Sequence, residues 1–192
     1  MEVKKDIPEL LKLLTSPIGV LTTAWKGKTN AQAVNSLGRT SRLPSVPRLT
    51  VIIVKMNLTH ELVWNSRSFA VHLLRTDQMP LVRKFGFFTG RQTDKLRDVK
   101  FRKGRTGSPI LEDCYAFMEC RVVNAMDNGA STIFLADVIA GGRKTVGNLL
   151  TSEYFRSNMH ADWIPEYEAL EARSLEFVEK HIRKIDYTPY RA

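Results

Sequence analysis

The chain has 192 residues, 43% hydrophobic and 26% charged, a balance that excludes a disordered chain and suits one domain with a real core. Its net charge is +9, its longest apolar stretches are strand-sized, and no run approaches the roughly 20 residues of a membrane span. The opening MEVKKDIPELLKLL lacks a signal-peptide core, and Cys114 and Cys120 form neither a disulfide framework nor a zinc spacing, so a cytoplasmic location is expected.

A short amphipathic helix is expected first, over Ile7–Leu14, with Asp6 and Pro8 as start signals. Strand-like runs follow at Ile18–Ala24, Ala31–Leu37, Leu49–Lys55, Phe69–Leu74, Ala116–Ala125 and Thr132–Ala140. Turn formers separate them, and Asn128-Gly129 before the last strand is a strong hairpin signal. Helical pieces are expected at Thr59–Trp64, Asp77–Phe88, Thr145–Ser157 and Pro165–Lys184. Strands and helices do not alternate, which argues against a doubly wound parallel sheet. The pattern is mainly β with peripheral helices, and it suits a small closed or split β-barrel of Greek-key type. Residues 1–144 would form the barrel domain and 145–192 a C-terminal helical extension, packed on the barrel or on a dimer partner.

The charge is uneven. Residues 1–107 hold 20 Lys/Arg against 7 Asp/Glu, whereas 108–192 hold 9 against 13. The densest basic stretch runs from Arg83 to Arg105. Such a field attracts anions, among them nucleic acid, a phosphorylated cofactor or an acidic protein. No helix-turn-helix, zinc finger or RNA-recognition aromatic motif accompanies it, which argues against nucleic acid. The four histidines share no ligand spacing, so no metal site is expected, and no G-x-S-x-G elbow is present.

Three segments carry ligand-binding chemistry. Thr29–Ser41 is rich in small polar residues, which let a flat ligand approach the backbone, although an ordinary edge strand has the same pattern. At Lys55–Leu62 an apolar strand passes into a short helix with Thr59 as its expected N-cap. Its free N–H groups suit a phosphate, or Thr59 simply caps its own helix. Phe85–Leu96 is a glycine-containing loop with hydroxyls, Arg91 and Lys95, suited to an anion or to plain solvation.

In order and spacing, these pieces resemble the flavin reductase-like, FMN-binding split-barrel family, which includes flavoredoxins. Ser16–Thr23 resembles its opening strand, Asn30–Ser41 its flavin strand and loop, and Thr59-His60-Glu61-Leu62-Val63 with Ser68–Leu74 its T-x-E-L-I … F-A-V-N-V-L run. Thr89–Leu96 is similar to S-G-R-x-x-D-K-F, and Glu119–Val122 to E-C-R-V. The resemblance implies a homodimer with one FMN per subunit, reduced by NAD(P)H or, alternatively, by a protein redox partner. It implies Asn30, Ala33, Val34, Asn35 and Ser36 along the isoalloxazine, then Thr40 and Ser41, with Arg39 near the pyrimidine edge. Thr59 and Lys95 would hold the phosphate, with Lys55, Asn57 and Thr89 nearby. No side chain need act as acid or base, because the flavin carries the redox chemistry. Gly129-Ala130-Ser131 stands where the family often has G-D-H, so its histidine is missing here.

Overall fold

The computed structural model describes residues 10, 11, 13, 14 and 16–191, so half of the helix expected over Ile7–Leu14 falls outside the described residues. Seven strands form one antiparallel sheet: β1 (Gly19–Trp25), β2 (Lys28–Val34), β3 (Leu37–Arg39), β4 (Arg48–Val54), β5 (Ser68–Leu73), β8 (Ala116–Asp127) and β9 (Ser131–Arg143). A separate hairpin pairs β6 (Phe101–Lys103) with β7 (Pro109–Leu111). The helices are α1 (Leu58–Ser66), α2 (Met79–Gly86), α3 (Ser152–Ser157) and α4 (Ile164–His181).

Strand order is β2-β1-β5-β8-β9-β4-β3. Strands β2 and β3 are therefore at opposite edges, yet only Asn35 and Ser36 separate them in sequence. A flat seven-stranded sheet would hold its edges about 29 Å apart, at about 4.8 Å per strand. Three Cα steps from Val34 to Leu37 span at most about 11 Å. The sheet must therefore roll up until its edges meet. Long β8 and β9 carry the curl, and register shifts at Glu119/Cys120 and Val122/Asn124 mark bulges that bend them.

Alternation puts Leu21, Val34, Val51, Ile53, Phe69, Val71, Cys120 and Phe134 into one core inside the roll, which α1 joins through Val63. The outer face of β1 and β2 is also covered. Val20 and Ala31 pack there with Val82 and Phe85 of α2 and with Leu150 and Phe155. The Asn-Gly hairpin forms as expected, with Gly129 at φ 88° and Asp127 paired with Thr132. Both cysteines are buried free thiols, with pKa values that burial pushes up to about 11 at Cys114 and about 12 at Cys120.

The expectations shift in four places. The strand expected over Ala31–Leu37 ends at Val34, because the chain there leaves one edge for the other; Ser36 Oγ donates to Ile52 O of β4 at 3.0 Å. Helix α1 starts at Leu58, with Asn57 rather than Thr59 as N-cap. Asp77–Phe88 divides into a 3-10 turn at Thr76–Gln78 and then α2. Of Thr145–Ser157 only α3 is helical, because residues 148–151 spend their backbone groups on the barrel. Leu150 N donates to Leu74 O, and Leu150 O accepts from Ile18 N, both at 2.9 Å.

Candidate functional site

A cleft of about 430 Å³ lies along β2 at the sheet edge. Asn30 and the stretch from Gln32 to Asn35 form its floor, and the N-terminus of α1 also lines it. The end of α2 and the loop from Phe87 to Gln92 make one wall; Phe155 of α3 with Tyr167 and Leu170 of α4 make the other. Apolar walls with a few convergent polar groups are the usual build of a small-molecule site.

The polar groups converge where β2, α1 and the 89–95 loop meet. Asn57 enters α1 in extended conformation, and its side chain makes no capping bond, so first-turn N–H groups remain available to an anion. Thr59 is fully buried, and its Oγ1 accepts from Asn30 Nδ2 at 2.7 Å, which locks helix to strand. This bond is why Thr59 is not the cap: its hydroxyl faces the strand. Gly90 lies so close that a Cβ there would stand 2.1 Å from Asn30 Oδ1, so only glycine lets the loop close over this corner. Lys95 is 5% exposed, and its ammonium donates to Phe85 O at 2.9 Å and Phe88 O at 3.2 Å. An ammonium has three protons, which leaves one for a ligand. Burial lowers its pKa to about 8.

Eight of the thirteen residues expected from sequence line this cleft: Asn30, Ala33, Val34, Asn35, Asn57, Thr59, Thr89 and Lys95. Ser36, Arg39, Thr40, Ser41 and Lys55 do not. Ser36 ties β3 to β4. Arg39 and Thr40 are exposed, Thr40 pairing its N–H with Arg48 O at 3.1 Å, and Ser41 turns locally onto Leu43 N. Lys55 is ion-paired with Asp127. The sequence reading missed Gln32, Gly90 and the wall supplied by α4. That helix has no buried residue and is held by the Arg83–Glu166 pair, at 2.7 and 2.8 Å, and by Phe87 against Tyr167, at 5.6 Å. Much of the basic excess has such structural work. Arg91 pairs with Glu61, and Lys84 donates to Arg97 O. Among the described residues, no group of His, Cys, Asp and Glu could hold a metal ion.

A rolled antiparallel sheet whose edge cleft combines a helix N-terminus and a buried lysine with aromatic side chains suits a flat, phosphorylated ligand. The chain belongs to the flavin reductase-like family, whose domain, described as "Flavin reductase like domain", matches residues 11–161. It is 29% identical over 147 residues to the high molecular weight rubredoxin of Moorella thermoacetica, covering 76% of this chain and 63% of that one. It is 25% identical over 160 residues to FMN reductase (NADH) RutF 2 of Rhizobium rhizogenes, covering 83% of this chain and 90% of that one. Among solved structures, the flavoredoxin of Methanosarcina acetivorans superposes with a TM-score of 0.63 at 25% identity, over 67% of this chain and 69% of that one. No helix among the described residues is long and apolar enough to cross a membrane.

Proposed function

We propose that the chain binds one FMN in the edge cleft and works as a flavin reductase-like oxidoreductase that takes electrons from NAD(P)H. The observation that carries this is that the uncapped α1 N-terminus and buried Lys95 line one cleft together with the aromatic side chains of Phe85, Phe87, Phe155 and Tyr167. N–H groups of α1, the Lys95 ammonium and the Thr89 hydroxyl would hold the phosphate, through charge-assisted bonds and the helix dipole. The Asn30–Thr59 bond fixes helix against strand, and so fixes the phosphate site relative to the backbone of Ala33–Asn35. Phe85, Phe87 and Tyr167 exclude water from the walls. When bound, the flavin supplies the hydride and electron chemistry, and the protein supplies orientation and electrostatics.

The names of two relatives support the donor: the RutF 2 protein and a ferric-chelate reductase (NAD(P)H) of Archaeoglobus fulgidus, 27% identical over 122 residues. The flavoredoxin neighbour favours a second reading, an electron carrier reduced by a protein partner. Anaerobic mixing separates the two. Rapid bleaching of bound flavin by NADH or NADPH is expected; bleaching only by a reduced iron–sulfur protein would establish the carrier instead. The reading also makes the protein a cytoplasmic homodimer. Two buried free thiols support a reducing compartment. The loop that follows Arg39, Thr40 and Ser41 exposes Leu43 and Val46, which supports a second copy there and gives Arg39, Thr40 and Ser41 their place near flavin only in the dimer.

A further inference from the structure

Strand β2 carries one buried polar atom that the fold does not use. Gln32 is 9% exposed and lines the cleft, and its Oε1 has no hydrogen-bond partner among the described residues. Its same-face neighbours are both provided for. Asn30 is bonded to Thr59, and Val34 is packed in the barrel core. Buried polar groups are almost always paired, because an unpaired one costs its desolvation in full. Gln32 lines the cleft while the oxygen itself is closed to solvent, so a turn of the side chain would bring it to whatever fills the cleft.

We propose that the Gln32 carboxamide is the hydrogen-bond partner of the flavin's ribityl hydroxyls, a positioning contact that joins the phosphate site to the ring site. This rests on the FMN reading above. The chemistry of the ligand selects the contact. An orphan oxygen needs a donor; a phosphate dianion has none, whereas the ribityl chain offers a row of hydroxyls. A carboxamide also answers a polyol in both senses, so turning the amide over would leave an N–H for a hydroxyl to accept. The spacing selects the same part. Asn30 marks the phosphate end through its bond to Thr59, and Ala33–Asn35 line the far stretch of the floor. Gln32 lies one same-face step beyond Asn30, about 7 Å along the strand, between the two.

Gln32→Met keeps the side-chain length and removes both polar atoms. Titration by flavin fluorescence would compare FMN with its 2′-, 3′- and 4′-deoxy analogues, all of which retain the phosphate. Gln32→Met is expected to bind FMN about 10-fold more weakly than wild type. At least one deoxy analogue should show a similar deficit against wild type, and variant and analogue together should lose little more than either alone. Thermal unfolding without flavin gives a second readout: the variant should melt no lower than wild type, since it has lost an unsatisfied acceptor. Unchanged FMN affinity in Gln32→Met, or losses that simply add for every analogue, would overturn the assignment. So would a lowered melting temperature without flavin, which would mark Gln32 as structural. Wild-type protein that binds no FMN would defeat the flavin reading itself; wild type that binds FMN without the coupling defeats only the role of Gln32.

Discussion

Replacing Lys95 by Met removes the one buried ammonium in the candidate phosphate site. Two of its protons are already given to Phe85 O and Phe88 O, so the ligand loses one charge-assisted bond. Such a bond contributes about 1.5–3 kcal/mol, so FMN affinity at pH 7 should fall about 10- to 150-fold. The pH dependence is the sharper test. Burial lowers the Lys95 pKa from 10.5 to about 8, while the second phosphate pKa is about 6. At pH 7 the ammonium is charged and the phosphate is mostly dianionic. Above pH 8 the free protein sheds the Lys95 proton, and binding must take it up again. FMN affinity should therefore fall as pH rises from 8 to 9.5, by up to about tenfold per unit. Stability without flavin should move the other way. Between pH 8 and 10.5 the unfolded chain holds a Lys95 proton that the folded chain has released, so the Lys95 contribution to stability rises with pH, while Cys114 and Cys120, raised by burial, contribute in the opposite sense above about pH 9; the difference between wild type and Lys95→Met isolates the lysine. Fluorescence titration and thermal melts over pH 7–9.5 measure both trends, and Lys95→Met should lack both. An affinity flat across that range in wild type, or a slope kept in the variant, would refute the reasoning.

Gly90→Ala places a Cβ 2.1 Å from Asn30 Oδ1, so the loop must lift from the Asn30–Thr59 corner; FMN affinity should fall by at least about tenfold, as calorimetry would show. Glu166→Gln loosens α4 over the cleft, so stopped-flow should show faster FMN release than in wild type, and wild-type release should itself quicken with added salt. Acid should destabilise the fold through His72, whose Nδ1 donates to Val20 O at 2.9 Å and whose Nε2 accepts from Leu111 N at 3.1 Å. Burial lowers its pKa from 6.5 to about 4, so stability present above pH 6.5 is lost as pH falls toward 4, by about 3 kcal/mol for this group. Denaturant melts that show no loss across that range would contradict the buried neutral histidine.

Six of the seven sheet strands were legible because each is long enough to show apolar alternation or an apolar run bounded by turn formers. Strands β3, β6 and β7 have three residues each, too few for a period to appear. The helix expected over Thr145–Ser157 begins only at Ser152, because Thr145, Val146, Gly147 and Asn148 are weak helix formers and long-range bonds from Leu150 to Ile18 and Leu74 tie the segment to the barrel. The site divides along the same line. Thr59, Thr89 and Lys95 were visible as a helix start and a glycine-containing basic loop. Thr59 was nonetheless misread as the cap, since its hydroxyl is claimed by Asn30 from 29 residues away. The Gln32 orphan had no local signal, because it depends on what β2 does not touch. Tyr167 and Leu170 of α4 could be seen as an apolar stripe, but nothing in their spacing showed that the stripe faces this cleft.

In the proposed function the edge cleft holds FMN by its phosphate. Titration of flavin-free protein with FMN and with riboflavin, followed by flavin fluorescence, tests it most directly. Saturable binding of one FMN per chain is expected, with affinity for riboflavin at least about tenfold weaker, since riboflavin lacks the group that α1 and Lys95 would hold. Equal affinity for the two, or no saturable binding of FMN, would contradict it.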